Sequence, residues 1–411
     1  MRLSIKYKWE LVAILWLAFF FNQADRQIFN VVLSAIRDDL GLTDADMGLV
    51  SSSLILVYGL LVPVAGIVGD RFSKKKVILI ALLIWTSSTF LTGLSQTLFH
   101  LILIRSVATG GGEAFYSPSA SSLIGAYHKD TLSTALSLHQ TALYVGVICS
   151  SYITGYIADH YGWRMAFYVF GFGGLILAAV IAKRVKPDKK PAVAEKSTEP
   201  AIGVKETVLV FFKKPTAILL ALGFAGMQFS GVGFLTWMPT YMHEEYNLSL
   251  AKAGFDSTFY YKITALLGII AGARLSDTLR KRVINIRALV QVGGLLLGAP
   301  ALYFMGASHS LLTVYAMLAL FGMCQGLYDS NIFASLYEVI EPPYRATATG
   351  IMLSFAFGIS AISPFLLGYL KPLIGLSKGI AFLSLGYVAA AILLSIAVLF
   401  FYRKDRLKMG L

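Results

Sequence analysis

Twelve long apolar runs constrain the fold of this chain of 411 residues more than any other feature of its sequence. Each run holds about 20 residues or more, enough for an α-helix to cross the ~30 Å hydrocarbon core of a bilayer. Strands of a membrane barrel alternate polar and apolar residues over about half that length, so continuous runs favour helices. The predicted spans lie near residues 9–36, 46–69, 77–97, 98–125, 133–158, 164–182, 216–242, 253–275, 284–306, 310–337, 346–370 and 379–402. We therefore expect an all-α membrane protein with twelve transmembrane helices.

The composition and the motifs argue against a soluble protein and against an enzyme. Hydrophobic residues make up 57% of the chain and charged residues only 14%, which leaves too little polar surface to cover a soluble domain of this size. The sequence shows no metal-ligand spacing, nucleotide-binding loop or nucleophile elbow. We expect no enzymatic activity, no metal site and no bound cofactor. Cys149 and Cys324 both fall inside predicted spans, so no disulfide framework is implied.

The basic residues predict the orientation of the chain. Most of the 35 Lys and Arg residues flank the spans on the face that holds both termini, and such residues are retained in the cytoplasm. The opposite face receives only Arg37, Arg164, Lys252, Lys371 and Lys378. We expect both termini to be cytoplasmic and the protein to lie in the cell's inner (plasma) membrane. A basic belt facing anionic lipid accounts for the net charge of +13, so no nucleic-acid partner is expected.

The sequence divides into two halves of six spans. Residues 1–182 are predicted to form an N-terminal six-helix bundle and residues 215–411 a C-terminal one. Residues 183–214 are rich in Pro, Lys and Glu and cannot bury much apolar surface, so they are expected to be a basic cytoplasmic linker.

The two halves repeat one another. Gly155-Tyr156 is echoed by Gly368-Tyr369, and Gly162 is echoed by Gly375. A short basic turn also follows the second span of each half, around Asp70 and around Asp277. Because each half holds six spans, both copies keep the same orientation in the membrane. This parallel repeat predicts a substrate site between the halves near the bilayer midplane, with access that alternates between the two sides.

The first basic turn resembles a signature of the major facilitator superfamily. Its sequence, Gly66-Ile-Val-Gly-Asp70-Arg71-Phe-Ser-Lys74-Lys75, is similar to the loop 2–3 motif of that family, with Ser73 where a glycine is usual. The resemblance implies that Asp70, Arg71 and Lys74 take part in gating. By the repeat, it implies the same for Asp277 and Lys281, although Ala273 and Thr278 replace the Gly and Arg of the motif.

Two further motifs resemble narrower branches of the superfamily. Asn22-Gln-Ala-Asp25-Arg26-Gln27 in span one and Gly110-Gly-Gly-Glu113-Ala114-Phe-Tyr116-Ser-Pro118 in span four are similar to the anion:cation symporters, which take sugar acids and other carboxylates, and to the spinster-like transporters. The first branch implies that Asp25 and Glu113 bind protons and that Arg26 binds the anion. That branch usually places a second arginine seven residues before the glutamate.

This chain departs from the branch at that second arginine. Ser106 occupies the usual position, and Arg105 stands one step earlier. A shift of one residue turns a helical side chain by about 100°. Arg105 is therefore a candidate for substrate contact, with a structural bond to neighbouring carbonyl groups as an equal alternative.

The residues themselves support a site at spans one and four. Asp25 and Glu113 fall near the middle of their spans, where a charge costs ~2.5 kcal/mol or more and usually serves transport. Asn22, Arg26 and Asn30 follow a helical period, and a guanidinium presents a two-donor fork that matches a carboxylate. Two structural alternatives remain open: Asp25 and Arg26 as a mutually neutralising pair, and Glu113 as a packing residue held by hydrogen bonds.

Other polar side chains inside the predicted spans are candidates for substrate contact. They are Tyr116, His139, Gln140, Gln228, Lys262, Asp329 and Asn331. Lys262 has an alternative role as a lysine whose ammonium group extends to the membrane surface, and Asp329 as an acceptor that packs helices. Tyrosines such as Tyr116 more often form cavity walls than ligand contacts.

The sequence therefore predicts a secondary active transporter that acts as a monomer. The leading hypothesis is symport of a small organic anion, such as a hexuronate, another sugar acid or a sialic acid, driven by protons, with sodium as the alternative coupling ion. Span five holds Gly146 and Gly155 without a Gly-Pro pair between them, so the family's antiporter signature is absent, which favours symport. The alternative hypothesis is a spinster-like carrier of a lysolipid or another amphiphile.

Overall fold

A computed structural model describes residues 5–186 and 204–407, and its regular elements in those ranges are all helices. The predicted all-α fold is confirmed. The helices before the linker are α1 (Ile5–Val31), α2 (Leu33–Leu40), α3 (Asp44–Arg71), α4 (Lys74–Thr92), α5 (Leu98–His100), a π-helical segment (Leu101–Ala108), α6 (Thr109–Ala114), α7 (Tyr116–Tyr127), α8 (Leu132–Tyr161) and α9 (Trp163–Arg184).

The part of the chain after the linker is described from residue 204. Its helices are α10 (Val204–Phe212), α11 (Pro215–Tyr246), α12 (Leu250–Leu279), α13 (Ile286–Ala307), α14 (Leu311–Asp329), α15 (Ile332–Tyr337), a 3₁₀ turn (Pro342–Tyr344), α16 (Arg345–Ser360), α17 (Ile362–Phe382), α18 (Ser384–Ile396), a second π-helical segment (Ala397–Phe401) and α19 (Tyr402–Leu407). Residues 187–203, the centre of the predicted linker, lie outside the described residues.

Eight helical stretches of the described chain are long and apolar enough to cross a membrane. One of them, Pro342–Arg406, covers the last two predicted spans together. The first, fourth and eighth predicted spans are not in that set. All three hold ionisable residues in their interiors, and the fourth also contains the π-helical segment. All three of these spans hold candidate site residues, and further candidates such as His139, Gln228 and Asp329 lie in spans that are in the set.

The described residues fall into two units. The first contains residues up to 186 together with Met242–Phe255, and the second contains residues 204 to Tyr241 and Asp256 to 407. Within the first unit, the Asp159 carboxylate accepts the backbone N–H groups of Leu250 (3.1 Å) and Ala251 (3.0 Å) at the start of α12. No sequence pattern predicted this grouping of residues 242–255 with the N-terminal bundle.

Local sequence explains where α3 begins. Thr43 is its N-cap: the Thr43 hydroxyl accepts the Asp46 N–H (3.1 Å), and the Asp46 carboxylate accepts the Thr43 N–H (3.0 Å). This reciprocal capping box satisfies two donors that a helix start otherwise leaves unpaired. The helix that follows ends at Arg71 in the first basic turn.

Gly162 and Gly375 have nearly the same unusual backbone conformation. Gly162 has φ 83° and ψ 157° between α8 and α9, and Gly375 has φ 79° and ψ 160° within α17, where it separates two helices. This region is open almost only to glycine. The sequence repeat that links the two residues therefore corresponds to a repeated backbone feature.

The first unit has a core that positions spans one and four. α1 packs along α8, and α4 packs along α9 and against α6. The core where these helices meet contains the fully buried side chains of Leu15, Trp85 and Tyr116. It holds the middle of α1 next to the middle of span four.

Candidate functional site

Two ion pairs join span one to span four in the first unit. Arg26 Nε lies 2.6 Å from Glu113 Oε2, and Arg105 NH1 lies 3.2 Å from Asp25 Oδ2. The adjacent residues 25 and 26 of α1 thus each hold a partner of opposite charge on span four. We refer to Asp25, Arg26, Arg105 and Glu113 as the charged cluster. Its formal charges cancel.

Asp25 accepts three hydrogen bonds, one from Thr89 and two from Arg105, and is almost fully buried. Its Oδ1 accepts the Thr89 hydroxyl at 2.5 Å, its Oδ2 contacts Arg105, and Arg105 NH2 donates to its backbone carbonyl at 2.8 Å. The side chains of Asp25 and Arg105 are only 3% and 2% exposed. A buried pair with this many hydrogen bonds is fixed in place, because breaking it would leave an unpaired charge away from water.

The second pair is asymmetric. The Glu113 side chain is fully buried, whereas 31% of the Arg26 side-chain surface is exposed. The Arg26 guanidinium also lies 4.2 Å from the centre of the Tyr58 ring, a cation–π arrangement. Arg26 is therefore the member of the charged cluster that a ligand can reach.

One carboxylate oxygen of Glu113 is left unpaired in the described part of the chain. Its Oε1 is buried and has no hydrogen-bond partner among the described residues. The Asp25 and Glu113 carboxyl groups are neighbours, and a hydrogen bond between them requires a proton on one of the two. A proton on either carboxyl group would allow such a hydrogen bond.

The π-helical segment explains how Arg105 reaches the cluster from an unexpected sequence position. In it, the Thr109 N–H bonds to the carbonyl of Ile104, five residues back. A π turn holds one residue more than an α turn, so it offsets a shift of one residue in the sequence. Arg105, eight positions before Glu113, is brought to the face that an arginine seven positions before would occupy in a regular helix.

The amide side chains of span one form hydrogen bonds mainly with one another. Gln23 Nε2 donates to Asn22 Oδ1 (3.0 Å), and Asn30 Nδ2 donates to Gln27 Oε1 (3.4 Å). The Asn22 and Gln27 side chains are buried, and the amide nitrogen of each has no hydrogen-bond partner among the described residues. Gln27 was not among the predicted site residues. Its position directly after Asp25 and Arg26 in the span-one motif was the sequence signal for it.

Tyr116 and His139 form a buried pair with span one. The Tyr116 hydroxyl lies 2.5 Å from the Leu15 carbonyl and 3.0 Å from His139 Nε2. A phenol has one proton to donate, and a carbonyl can only accept, so Nε2 of His139 is the protonated nitrogen that donates to the phenol oxygen. The Phe19 ring stacks on the imidazole. Gln140, the next residue of α8, is exposed.

The second unit brings two predicted site residues near each other. Lys262 Nζ lies 4.5 Å from the centre of the Tyr261 ring on α12, and Asp329 at the end of α14 accepts a long bond (3.5 Å) from Gln325. Gln325 also accepts the Tyr261 hydroxyl. Tyr261 and Gln325 thus link Lys262 to Asp329. Neither Tyr261 nor Gln325 was among the predicted site residues.

The other two predicted residues of the second unit lie apart from that chain of contacts. Gln228 is half-buried on α11. Asn331 is buried between α14 and α15, and its amide donates to Ser330 (2.8 Å).

The basic turns place the predicted gating residues at helix ends. Arg71 is exposed at the end of α3, and Lys74 is half-buried at the start of α4. The Asp70 side chain lies outside the described residues. In the second copy Lys281 is exposed, and Asp277, which is also exposed, has a loose contact of 3.7 Å with Arg287.

A buried acid near the second basic turn was missed from the sequence. Glu338, only 4% exposed, lies 3.1 Å from Arg287, and it accepts the Tyr402 hydroxyl at 2.7 Å. Arg280 and Arg406 approach it at 3.7 and 3.9 Å. Within the second unit, Glu338 is therefore a more central partner of the basic residues than Asp277. The sequence signal that could have identified Glu338 was an acidic residue at the end of a span, on the side of a basic turn.

Within residues 5–186 and 204–407, no group of three or more His, Cys, Asp or Glu side chains is arranged to hold a metal ion. The charged cluster pairs its two carboxylates with arginines instead, which neutralises them without a metal ion.

Comparison with known proteins places these features in a wider context. The family model of the Major Facilitator Superfamily matches residues 15–364. The hexuronate transporter of Bacillus subtilis (strain 168) is 26% identical over 407 residues, which cover 97% of this chain and 95% of that protein. Protein spinster homolog 1 of Xenopus tropicalis is 29% identical over 404 residues, 93% of this chain and 76% of that protein.

A solved structure shows the same fold over nearly the whole chain. It is that of a bacterial homolog to the human lysosomal transporter Spinster, in an inward-facing and occupied conformation. Its TM-score to this chain is 0.85 at 21% identity, with 98% of this chain and 99% of that chain covered. The fold and the apolar spans are thus features of one class of membrane protein.

Proposed function

This chain belongs to the Major Facilitator Superfamily and is a multi-pass membrane transporter rather than an enzyme, and we propose that it moves a small organic anion together with protons by alternating access. The observation on which the proposal depends is the charged cluster, in which Arg26, the reachable cation, is neutralised by the buried Glu113. Members of this class rock two halves around a central site, and the coupling ion must change the affinity of that site.

The charge balance of the cluster provides a route for coupling. With both carboxylates ionised, the two acids and two arginines cancel, and Arg26 is already paired. A proton on Glu113, shared with the neighbouring Asp25, leaves the cluster with one net positive charge and releases Arg26. Proton binding therefore favours anion binding, and loss of the proton favours anion release.

The four residues have different roles in this scheme. Glu113 binds the proton at its unpaired Oε1, and Asp25 accepts a hydrogen bond from the protonated acid. Arg26 binds the carboxylate of the substrate through its planar fork. Arg105 is a positioning residue, because it contacts Asp25 on both its side chain and its backbone and is itself buried.

The similarity to a hexuronate transporter supports a sugar acid as the substrate. Such a molecule presents one carboxylate to Arg26 and several hydroxyl groups to amides. The buried amide nitrogens of Asn22 and Gln27, which have no partner among the described residues, are donors of the kind that sugar hydroxyls require. We propose that the basic termini face the cytoplasm, that the membrane is the plasma (inner) membrane, and that a monomer is sufficient.

Transport in proteoliposomes tests the proposal. The wild-type protein, tested against a panel of hexuronates, aldarates and sialic acids, should take up one class and acidify the lumen, as recorded with an enclosed pH dye. Replacing external sodium with potassium should leave uptake unchanged. Lys129 is exposed and lies outside the charged cluster, so Lys129→Gln is a control for loss of a positive charge elsewhere. This variant should transport as the wild type does. Uptake that requires a sodium gradient and moves no protons would contradict proton coupling.

A second candidate function is transport of a lysolipid or another amphiphile. The specific observation in its favour is the similarity to spinster homolog 1, with 29% identity. The two candidates differ in their need for Arg26: a sugar acid requires its guanidinium, whereas an amphiphile gains most of its binding energy from apolar contact. Lysolipid transport that persists in Arg26→Ala, with no uptake of any sugar acid by the wild type, would establish the second candidate.

A further inference from the structure

A cavity of about 640 Å³ lies within the first unit between α3, α4 and span four, away from the charged cluster. This volume is in the ~300–1,000 Å³ range of sites that hold small molecules. Its wall is apolar over most of its length. The side chains that form this wall include Leu61, Val68, Ile80, Ile84 and Val107.

Small residues of span four keep this cavity open. A Cβ on Gly111 would meet only Leu61 Cδ1, at 3.6 Å, which is an ordinary contact. The neighbouring Gly112 differs, because a Cβ there would lie 3.0 Å from backbone atoms of Ala81 and Trp85. A side chain at Gly112 would thus crowd the neighbouring helix, whereas a side chain at Gly111 would enter the cavity that this glycine lines.

One end of the cavity is basic. Arg71 and Lys76 line it, and both are exposed. Among the side chains that the structure describes, neither has an acidic partner within ion-pair distance. Ser73, also in the lining, is the N-cap residue of α4, and the start of that helix adds partial positive charge at the same end.

We infer that this cavity binds a phospholipid with an anionic headgroup, from the leaflet at which α3 ends and α4 begins. The apolar wall accepts an acyl chain, and Arg71 and Lys76 bind the phosphate. The cations lie at the end of two spans, where headgroups are found, and the apolar wall extends from there along the spans toward the bilayer core. A free phosphate would use only the basic end, and a neutral lipid only the wall.

The test is binding of lipids with identical acyl chains to the detergent-purified protein, counted by native mass spectrometry. The wild type should bind phosphatidylglycerol more tightly than phosphatidylcholine. Lys76→Gln should weaken phosphatidylglycerol binding about fivefold, as expected for loss of one basic residue at a membrane surface, and leave phosphatidylcholine unchanged. Gly111→Leu fills the cavity and should weaken binding of both lipids. Lys129→Gln, which removes an exposed lysine outside the cavity, should bind both lipids as the wild type does.

Three outcomes would overturn the inference. They are equal affinity of the wild type for the two lipids, wild-type binding by both Lys76→Gln and Gly111→Leu, and full displacement of phosphatidylglycerol by inorganic phosphate. If Gly111→Leu does not fold, Ala108→Leu fills the same cavity from the adjacent turn. No substrate or gradient is present in this experiment, so its failure would leave the proposed transport function unaffected.

Discussion

The Nε of Arg26 lies 2.6 Å from Oε2 of Glu113, and this contact joins the most exposed member of the charged cluster to its most deeply buried one. A substrate carboxylate can compete with Glu113 for the guanidinium only from the exposed side. In the proposed mechanism the proton and the anion therefore depend on one arginine, and the following predictions separate the members of the cluster.

Glu113→Gln should abolish substrate-driven proton uptake, because an amide has no titratable proton and no longer competes for Arg26. Substrate binding should persist, since the variant resembles the protonated acid. Proton movement is measured with an enclosed pH dye, and binding by the thermal shift of the purified protein, which follows RT ln(1 + [L]/Kd). Proton uptake at the wild-type rate in this variant would refute the assignment.

Arg26→Lys and Arg26→Ala should differ in binding. Lysine keeps the charge but presents a point charge instead of a planar fork, so we expect a loss of about tenfold in affinity, or ~1.4 kcal/mol. Alanine leaves Glu113 without its partner and should abolish detectable binding of the anion. Isothermal titration with the substrate found in the transport panel measures both, and equal affinities for the wild type and Arg26→Ala would exclude Arg26 from the site.

Arg105→Gln should destabilise the fold by about 3–5 kcal/mol, the usual cost of removing one partner of a buried ion pair. Arg164→Gln is the matched control, because its pair with Asp39 is exposed and should be worth about 1 kcal/mol or less. Chemical unfolding in detergent compares the two variants. If Arg105→Gln costs no more than the control, Arg105 is not a positioning residue.

The contact between Lys214 and Glu341, outside the predicted spans, should respond to pH. Burial raises the pKa of Glu341, but the hydrogen bond and charge of Lys214 outweigh it and hold the pKa below its ordinary value of 4.5. A lowered folded-state pKa gives stability that is present above about pH 4.5 and is lost as the pH falls through the folded value.

The variant Lys214→Met tests this dependence. It should melt at a lower temperature than the wild type at pH 7, by an amount worth about 1 kcal/mol or less, since Glu341 is 36% exposed. The difference should shrink below pH 4. A difference that stays constant across this range would mean that Lys214 acts through its bond to the Val339 carbonyl alone.

Gly162→Ala and Gly375→Ala should each cost about 1–3 kcal/mol, because both glycines occupy a backbone region that is closed to other residues. Nothing lies within 4 Å of a Cβ at either position, so the cost comes from the backbone and not from a clash. Gly293 in α13 provides the control, since a Cβ there also meets nothing but the backbone is helical. Gly293→Ala should be neutral or stabilising in the same melting experiment.

The fold was predictable because it depends on regularities that repeat along the chain. Continuous apolar runs predicted the helices, and the all-α fold is confirmed. The repeat that matched Gly162 to Gly375 corresponds to a shared backbone conformation, since only glycine meets the demand of that turn. The one grouping without a sequence signal, residues 242–255 with the first unit, depends on contacts with distant residues such as Asp159.

The site was predictable only in part. Ionisable residues in mid-span pointed to Asp25, Arg26 and Glu113, and the structure brings them together. The ion pair between Arg105 and Asp25 could not be predicted, because it depends on a π turn. No residue pattern in Leu101–Ala108 indicates such a turn. Glu338 was missed for a different reason: its arginine partners come from three separate segments of the chain. The functional roles of all these residues stay predictions.

The extra residue in the π turn affects how this chain must be aligned. A relative whose fourth span is a regular helix has one position fewer between its arginine and its glutamate. Pairing the two sequences without a gap would set Ser106 against that arginine and suggest that the cation had been lost. A single insertion within residues 106–108 restores the match, so this segment should be aligned by superposing structures and not by sequence alone.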